Sequence, residues 1–178
     1  LINKKSSHNT ALQVREKNLQ QVVAQKGSRN RTILPDGSVV WLNAGSSLSY
    51  TGNFKGLIRE VYLKGEGFFD VVKQDNHPFI VHANGIDIKV LGTAFDVKSY
   101  AEDNRVEATL IRGLIQVTRQ GEKNQKPVFL HPNEKLIFDL TENIPSEKIK
   151  AVNAPVTLPE IKSYHLDSTV KAENLIET

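Results

Sequence analysis

The chain has 178 residues, 39% of them hydrophobic and 24% charged, with no cysteine and no methionine. A chain of this length buries roughly 70% of its unfolded surface, and the composition excludes wholesale disorder, while the missing cysteine excludes disulfide frameworks, thiol nucleophiles and iron–sulfur sites. The formal charge of +3 is unevenly placed: residues 1–31 hold seven basic side chains against Glu16, and the rest of the chain holds 16 basic and 19 acidic groups.

Residues 1–19 read as a basic, membrane-proximal lead-in with a brief helix predicted over Thr10–Leu19. The same basic excess fits a solvated tail, and its confinement to one end argues against a nucleic-acid surface on the folded body. Because methionine is absent, the chain reads as a fragment or processed form from which a targeting or membrane segment has been removed. It contains no run of 18 apolar residues of the kind that spans a bilayer as a helix.

From 20 to 144 the pattern is all-β. Predicted strands are Gln21–Ala24, Arg31–Leu34, Val39–Asn43, Ser47–Tyr50, Glu60–Leu63, Phe68–Val72, Phe79–His82, Ile86–Val90, Ala94–Val97, Ala108–Ile111, Leu114–Val117, Val128–Leu130 and Lys135–Asp139. They are rich in the β-branched and aromatic residues that fit a pleated, half-buried surface. Leu34-Pro35-Asp36-Gly37-Ser38 predicts a tight turn, since Gly37 supplies positive φ and Pro35 presets the approach; Asn84-Gly85 repeats the logic. Lys64-Gly65 and Arg112-Gly113 each stand between β-type runs, which hints at a similar corner turned twice. The expected fold is about 12–13 short strands in two packed or solenoid-like stacked antiparallel sheets, with little helix. Residues 145–178, interrupted by Pro145, Pro155 and Pro159, read as a linker with a possible short helix over Pro159–Tyr164.

No residue pattern predicts an active site. His8, His77, His82, His131 and His165 lack the close spacing of metal ligands, and His77 and His131 each precede a proline, as at turns. Asp36 is explained by turn chemistry, and Glu66 by a backbone hydrogen bond at a strand corner. Glu66 and Asp70 are near in sequence but lack the cleft that general acid–base work needs. Gly65-Glu66-Gly67 is too short to cradle a phosphate. Trp41, flanked by apolar neighbours on both strand faces, is expected to be buried, and Phe68 and Phe69 to point to opposite faces. Catalytic, cofactor and metal residues are therefore assigned to none, and the partner-binding residues are unknown.

Seven phrases carry a resemblance. They are Val23–Gly27, Leu34–Leu48 (LPDGSVVWLNAGSSL), Arg59–Val71 (REVYLKGEGFFDV), His77–Val81, Val90–Val97 (VLGTAFDV), Leu110–Gly113 with Val117, and Leu130–Glu134. In this order they resemble the extracytoplasmic domain of FecR-type transmembrane regulators, the anti-sigma factors common in Bacteroidetes, over about 22–138. The chain departs in having Glu66-Gly67-Phe68-Phe69 where that family has Glu-Ala-Tyr-Phe, and Asp96 where it has Asn. The resemblance implies a cytoplasmic anti-sigma region and one transmembrane helix before this segment, and a small signalling domain after the linker. It implies a periplasmic location in a single-pass inner-membrane protein, and signalling by contact without enzymatic turnover or cofactor. The implied partners are the periplasmic signalling domain of a TonB-dependent outer-membrane transporter and an extracytoplasmic-function sigma factor. It gives Asp36 and Gly37 the role of a hairpin turn, Gly65 and Gly92 that of corners, and Phe79 and Phe95 that of core. The alternative is a secreted β-sandwich carbohydrate-binding module, which requires exposed aromatics on one face.

Overall fold

A computed structural model of the chain describes residues 19–121, 126–141 and 147–150. In chain order its strands are β1 (Leu19–Val23), β2 (Asn30–Ile33), β3 (Val39–Leu42), β4 (Ser47–Thr51), β5 (Arg59–Asp70), β6 (Phe79–Ala83), β7 (Ile86–Val90), β8 (Ala94–Ser99), β9 (Arg105–Arg112), β10 (Ile115–Arg119), β11 (Val128–Leu130), β12 (Glu134–Asp139) and β13 (Glu147–Lys150). No helix occurs among the described residues. The all-β expectation holds, and the predicted end helices, Thr10–Leu19 and Pro159–Tyr164, fall almost wholly outside the described residues.

Two layers share one strand. The first runs β1-β4-β5-β6-β7-β10-β11 and the second β2-β3-β5-β8-β9-β12-β13, together forming one nearly closed sheet. The N-terminal half of β5 pairs with β4 and β6, and the C-terminal half with β3 and β8. Sequence predicts two strands here, Glu60–Leu63 and Phe68–Val72. The structure joins them, because Gly65 at φ +93° bends the chain from one layer to the other without interrupting the ladder. A Cβ at Gly65 would lie 2.8 Å from Ser46 Cα. The corresponding corner from β9 to β10 is Gly113 at φ +101°, where a Cβ would meet Thr93 Oγ1 at 2.8 Å. The echo between Lys64-Gly65 and Arg112-Gly113 is thus a real recurrence of one backbone device.

Every ladder among the described residues is antiparallel except β5–β6. Parallel neighbours need a long crossover, and the C-terminal half of β5, running in the second layer, supplies it. One predicted strand is lost to the fusion and another appears unannounced: β13, within the stretch read as linker, pairs with β12.

Alternation along the strands points Val61, Leu63, Val81, Ile88, Ile115 and Val117 inward from the first layer, and Val40, Leu42, Val97, Ala108, Leu110 and Leu136 from the second. At the centre Phe69 stacks on Phe95 (5.1 Å between ring centroids) and meets Phe79 of the first layer edge-on at 6.4 Å. Phe79 and Phe95 are fully buried, as expected of core residues. Gly65→Ala is expected to cost at least about 2 kcal/mol, from left-handed strain and overpacking against Ser46. A urea titration checks it: an unchanged midpoint would mean that β5 does not bend at this residue.

Candidate functional site

The most polar feature of the interior is built on Arg59, the first residue of β5, whose side chain is 0% exposed. Its Nη1 donates to Asp36 Oδ2 at 2.6 Å and to the Val72 carbonyl at 3.0 Å. Its Nε donates to the His77 carbonyl at 2.9 Å, and Nη2 reaches the Leu91 carbonyl at 3.5 Å. The guanidinium lies 5.4 Å from the centroid of the Phe79 ring. One planar fork therefore ties together the β2–β3 turn, the exit of β5, the approach to β6 and the exit of β7. A guanidinium suits this, since its donors diverge in fixed directions and it stays charged when buried.

Asp36 has two tasks. In the turn, its Oδ1 accepts the Ser38 N–H at 3.0 Å, while Leu34 and Ser38 close the hairpin with a backbone bond of 2.8 Å. Gly37 takes φ +85°, as predicted. Turn chemistry alone, however, leaves out the ion pair with Arg59, which the turn aims into the protein. Ser38 extends the network: its Oγ donates to Asp36 Oδ2 at 2.7 Å and accepts the Val72 N–H at 3.0 Å. Gly92, assigned as a corner, follows β7, where a Cβ would sit 2.5 Å from Lys73 Cα. Here close packing of two chain segments, rather than positive φ, demands glycine.

The outer face of the first layer carries a histidine cluster. Tyr62, His82 and Asp87 are consecutive cross-strand neighbours on β5, β6 and β7. His82 stacks on Tyr62 at 4.6 Å, with Nδ1 at 2.7 Å from Asp87 and Nε2 at 3.4 Å from Glu60. Gln120 Nε2 donates to the same Asp87 oxygen at 2.6 Å. His82 and Asp87 face each other across the Asn84-Gly85 hairpin, whereas Tyr62 and Glu60 join them only through the β5–β6 pairing. Among the described residues no three His, Asp or Glu side chains form a metal-holding group. His77 and His131 stand at turns, where the His131 N–H donates to Glu134 Oε2 at 2.7 Å. His8 and His165 lie outside the described residues.

The outer face of the second layer is charged around Asp96. Burial, then the nearby Glu66, push its carboxyl up to about 7, with Lys135 opposing and Glu107 adding to the rise. Lys135 is engaged by Glu107, which also takes Arg105 at 3.0 Å. Glu66 does not reach a cleft with Asp70, whose carboxylate pairs with exposed Arg112 at 2.8 Å. The backbone N–H of Glu66 donates to Ser46 Oγ at 2.8 Å, and its carbonyl accepts from Asn43. Trp41 is half-buried on this face rather than in the core, packed on Phe68 at 5.5 Å and covered by the Arg31 guanidinium at 5.5 Å. Phe68 and Phe69 do take opposite faces, and both are buried. With Arg31 over its ring, Trp41 is not the open platform that a sugar-binding face requires.

The sign of the Asp96 shift fixes a pH dependence. A carboxyl raised in the folded state binds its proton there more tightly than in the unfolded chain. Stability from this group therefore falls as pH rises from about 4 to about 7. Asp96→Asn is expected to raise stability at pH 8 by about 1–2 kcal/mol and to leave it unchanged near pH 4. Equal effects at both pH values in chemical denaturation would contradict the assignment.

The profile of the FecR protein family matches residues 20–116. No curated protein matches the chain. Two crystal structures, each of a candidate anti-sigma factor from Parabacteroides distasonis, are 35% identical to it in sequence. Their TM-scores are 0.69 and 0.68, over 75% and 74% of this chain. The chain spans 60% of the length of each. A matching profile over more than half the chain, on a fold shared with these structures, places this chain in the FecR protein family.

Proposed function

We propose that this domain is the extracytoplasmic relay of a membrane-anchored anti-sigma regulator. In this reading residues 1–19 lead in from an inner-membrane helix, 20–144 form the relay, and 145–178 lead toward a further signalling domain. A TonB-dependent transporter's periplasmic domain is the upstream partner, and an extracytoplasmic-function sigma factor is the downstream one. The observation that carries the proposal is the passage of β5 through both layers, with Arg59 binding segments from each end. A contact that shifts one layer must move the other, and a partner acts only through its differential affinity for two such arrangements. The match to the FecR profile and to candidate anti-sigma factors supports the regulatory assignment.

The test is a transcriptional reporter for the cognate sigma factor in the native host. Deleting residues 20–140 from the full-length regulator is expected to abolish the inducer response while the protein remains in the membrane. A normal inducible response after that deletion would reject the relay.

A further inference from the structure

His82 stands on β6 with its side chain 18% exposed, and both flanking strands reach it. From β7, Asp87 Oδ1 lies 2.7 Å from Nδ1; from β5, Glu60 Oε1 lies 3.4 Å from Nε2. The Tyr62 ring stacks on the imidazole at 4.6 Å and 21°, which fixes the plane in which the two nitrogens point. Gln120, just past β10, donates from Nε2 to the same Asp87 oxygen at 2.6 Å and to the Ile86 carbonyl at 3.3 Å. One ring is therefore held between carboxylates of β5 and β7, and β10 braces the second of them.

The hydrogen-bonding inventory of imidazole gives this arrangement two states. A carboxylate only accepts, so the close contact of Asp87 with Nδ1 requires the ring proton at that nitrogen. In the neutral ring Nε2 then presents a lone pair to Glu60, acceptor against acceptor. Only the imidazolium carries a second N–H, and its charge is also favoured by the aromatic face beneath it. Glu60 is thus attracted in one charge state of His82 and repelled in the other, while Asp87 is bonded in both. The other charged side chains near the ring on this face are Lys64 and Lys89, two residues along β5 from Tyr62 and along β7 from Asp87. Both are exposed. From β10, uncharged Thr118 stands opposite Asp87.

We propose that His82 is a pH-operated clasp across the first layer: protonated, it joins Glu60 of β5 to Asp87 of β7, and neutral, it keeps Asp87 and releases Glu60. Imidazole ordinarily changes its charge between about pH 5 and about pH 8. Release acts on the residue next to Arg59, at the start of the strand that both layers share. The clasp is a property of the domain alone and does not depend on the sigma-factor reading.

The test is NMR on the isotopically labelled 178-residue chain, read from about pH 5 to about pH 8.5. Long-range proton–nitrogen spectra report which ring nitrogen holds the proton. At high pH His82 should carry it on Nδ1 alone, and at low pH on both nitrogens. The side-chain carboxyl carbon of Glu60 should shift with the same midpoint as the His82 ring, in a range where glutamate is ordinarily already ionised. His82→Gln should abolish that shift, whereas His131→Gln, at an exposed turn, should leave it in place. A neutral ring protonated on Nε2 overturns the proposal in the unsubstituted chain, with no variant needed. So does a Glu60 carboxyl that ignores the His82 midpoint, or one that still follows it after His82→Gln. The sigma-factor reporter enters none of these readings, so the clasp and the relay fail separately.

Discussion

Replacing Arg59 with alanine is expected to lower the free energy of unfolding by about 3–5 kcal/mol. The loss has two parts. Asp36 becomes a buried carboxylate without its counter-ion, and the carbonyls of Val72, His77 and Leu91 lose a donor. Asp36→Asn separates the hub from the turn. Asparagine keeps a side-chain oxygen to accept the Ser38 N–H, so the hairpin cap survives. If Asp36 mattered only to the turn, the variant would cost less than about 1 kcal/mol. With the ion pair counted, it should cost about 3 kcal/mol, because a buried guanidinium is left uncompensated. The double variant Arg59→Ala, Asp36→Ala should cost clearly less than the sum of the two single alanine variants. Additive losses in urea denaturation would show that the two residues act separately, and would remove the hub from the account of how the layers are coupled.

Arg59 also marks the boundary of what the sequence made legible. The strands were visible because their residues alternate and their turns carry glycine with asparagine or aspartate at expected places. Thus Asp36-Gly37, Asn84-Gly85 and the burial of Phe79 and Phe95 follow from local chemistry. Arg59 stood at the head of a recognisable phrase but had no local reason to be buried. Its partners Asp36, His77 and Leu91 are 23, 18 and 32 residues away. The His82 cluster is only half legible: the Asn84-Gly85 turn sets His82 opposite Asp87, but Tyr62 and Glu60 arrive through the β5–β6 pairing, which periodicity does not encode. The fusion of two predicted strands into β5 shows a subtler limit. Glycine predicted a corner, but a corner within one strand and a turn between two strands use the same residue. Apolar neighbours on both faces of a short strand signal burial of Trp41, whereas its ring is half-buried on the outer face, shielded by one cation and one ring.

Phe95→Ala is expected to destabilise the domain by about 3–5 kcal/mol, the range for deleting a large aromatic from a packed interior. Phe95 is fully buried, stacked on Phe69, which in turn meets Phe79 across the layers. Removing the ring therefore opens space at the contact through which the two layers press on each other. Phe95→Leu refills most of that space and should cost about 1–2 kcal/mol. The adjacent position provides the internal control. Asp96 points to the opposite face of the same strand, and its replacement by asparagine is expected to stabilise above neutral pH. One step along β8 should thus reverse the sign of the effect. A loss below about 1 kcal/mol for Phe95→Ala would reject the central stack as a support of the fold. Destabilisation by both Phe95→Ala and Asp96→Asn at pH 8 would instead mean that Asp96 holds a favourable contact as a carboxylate. If the signs do oppose, the inner face of β8 supplies stability. Its outer face then carries a charge that the fold tolerates at a cost, which asparagine avoids.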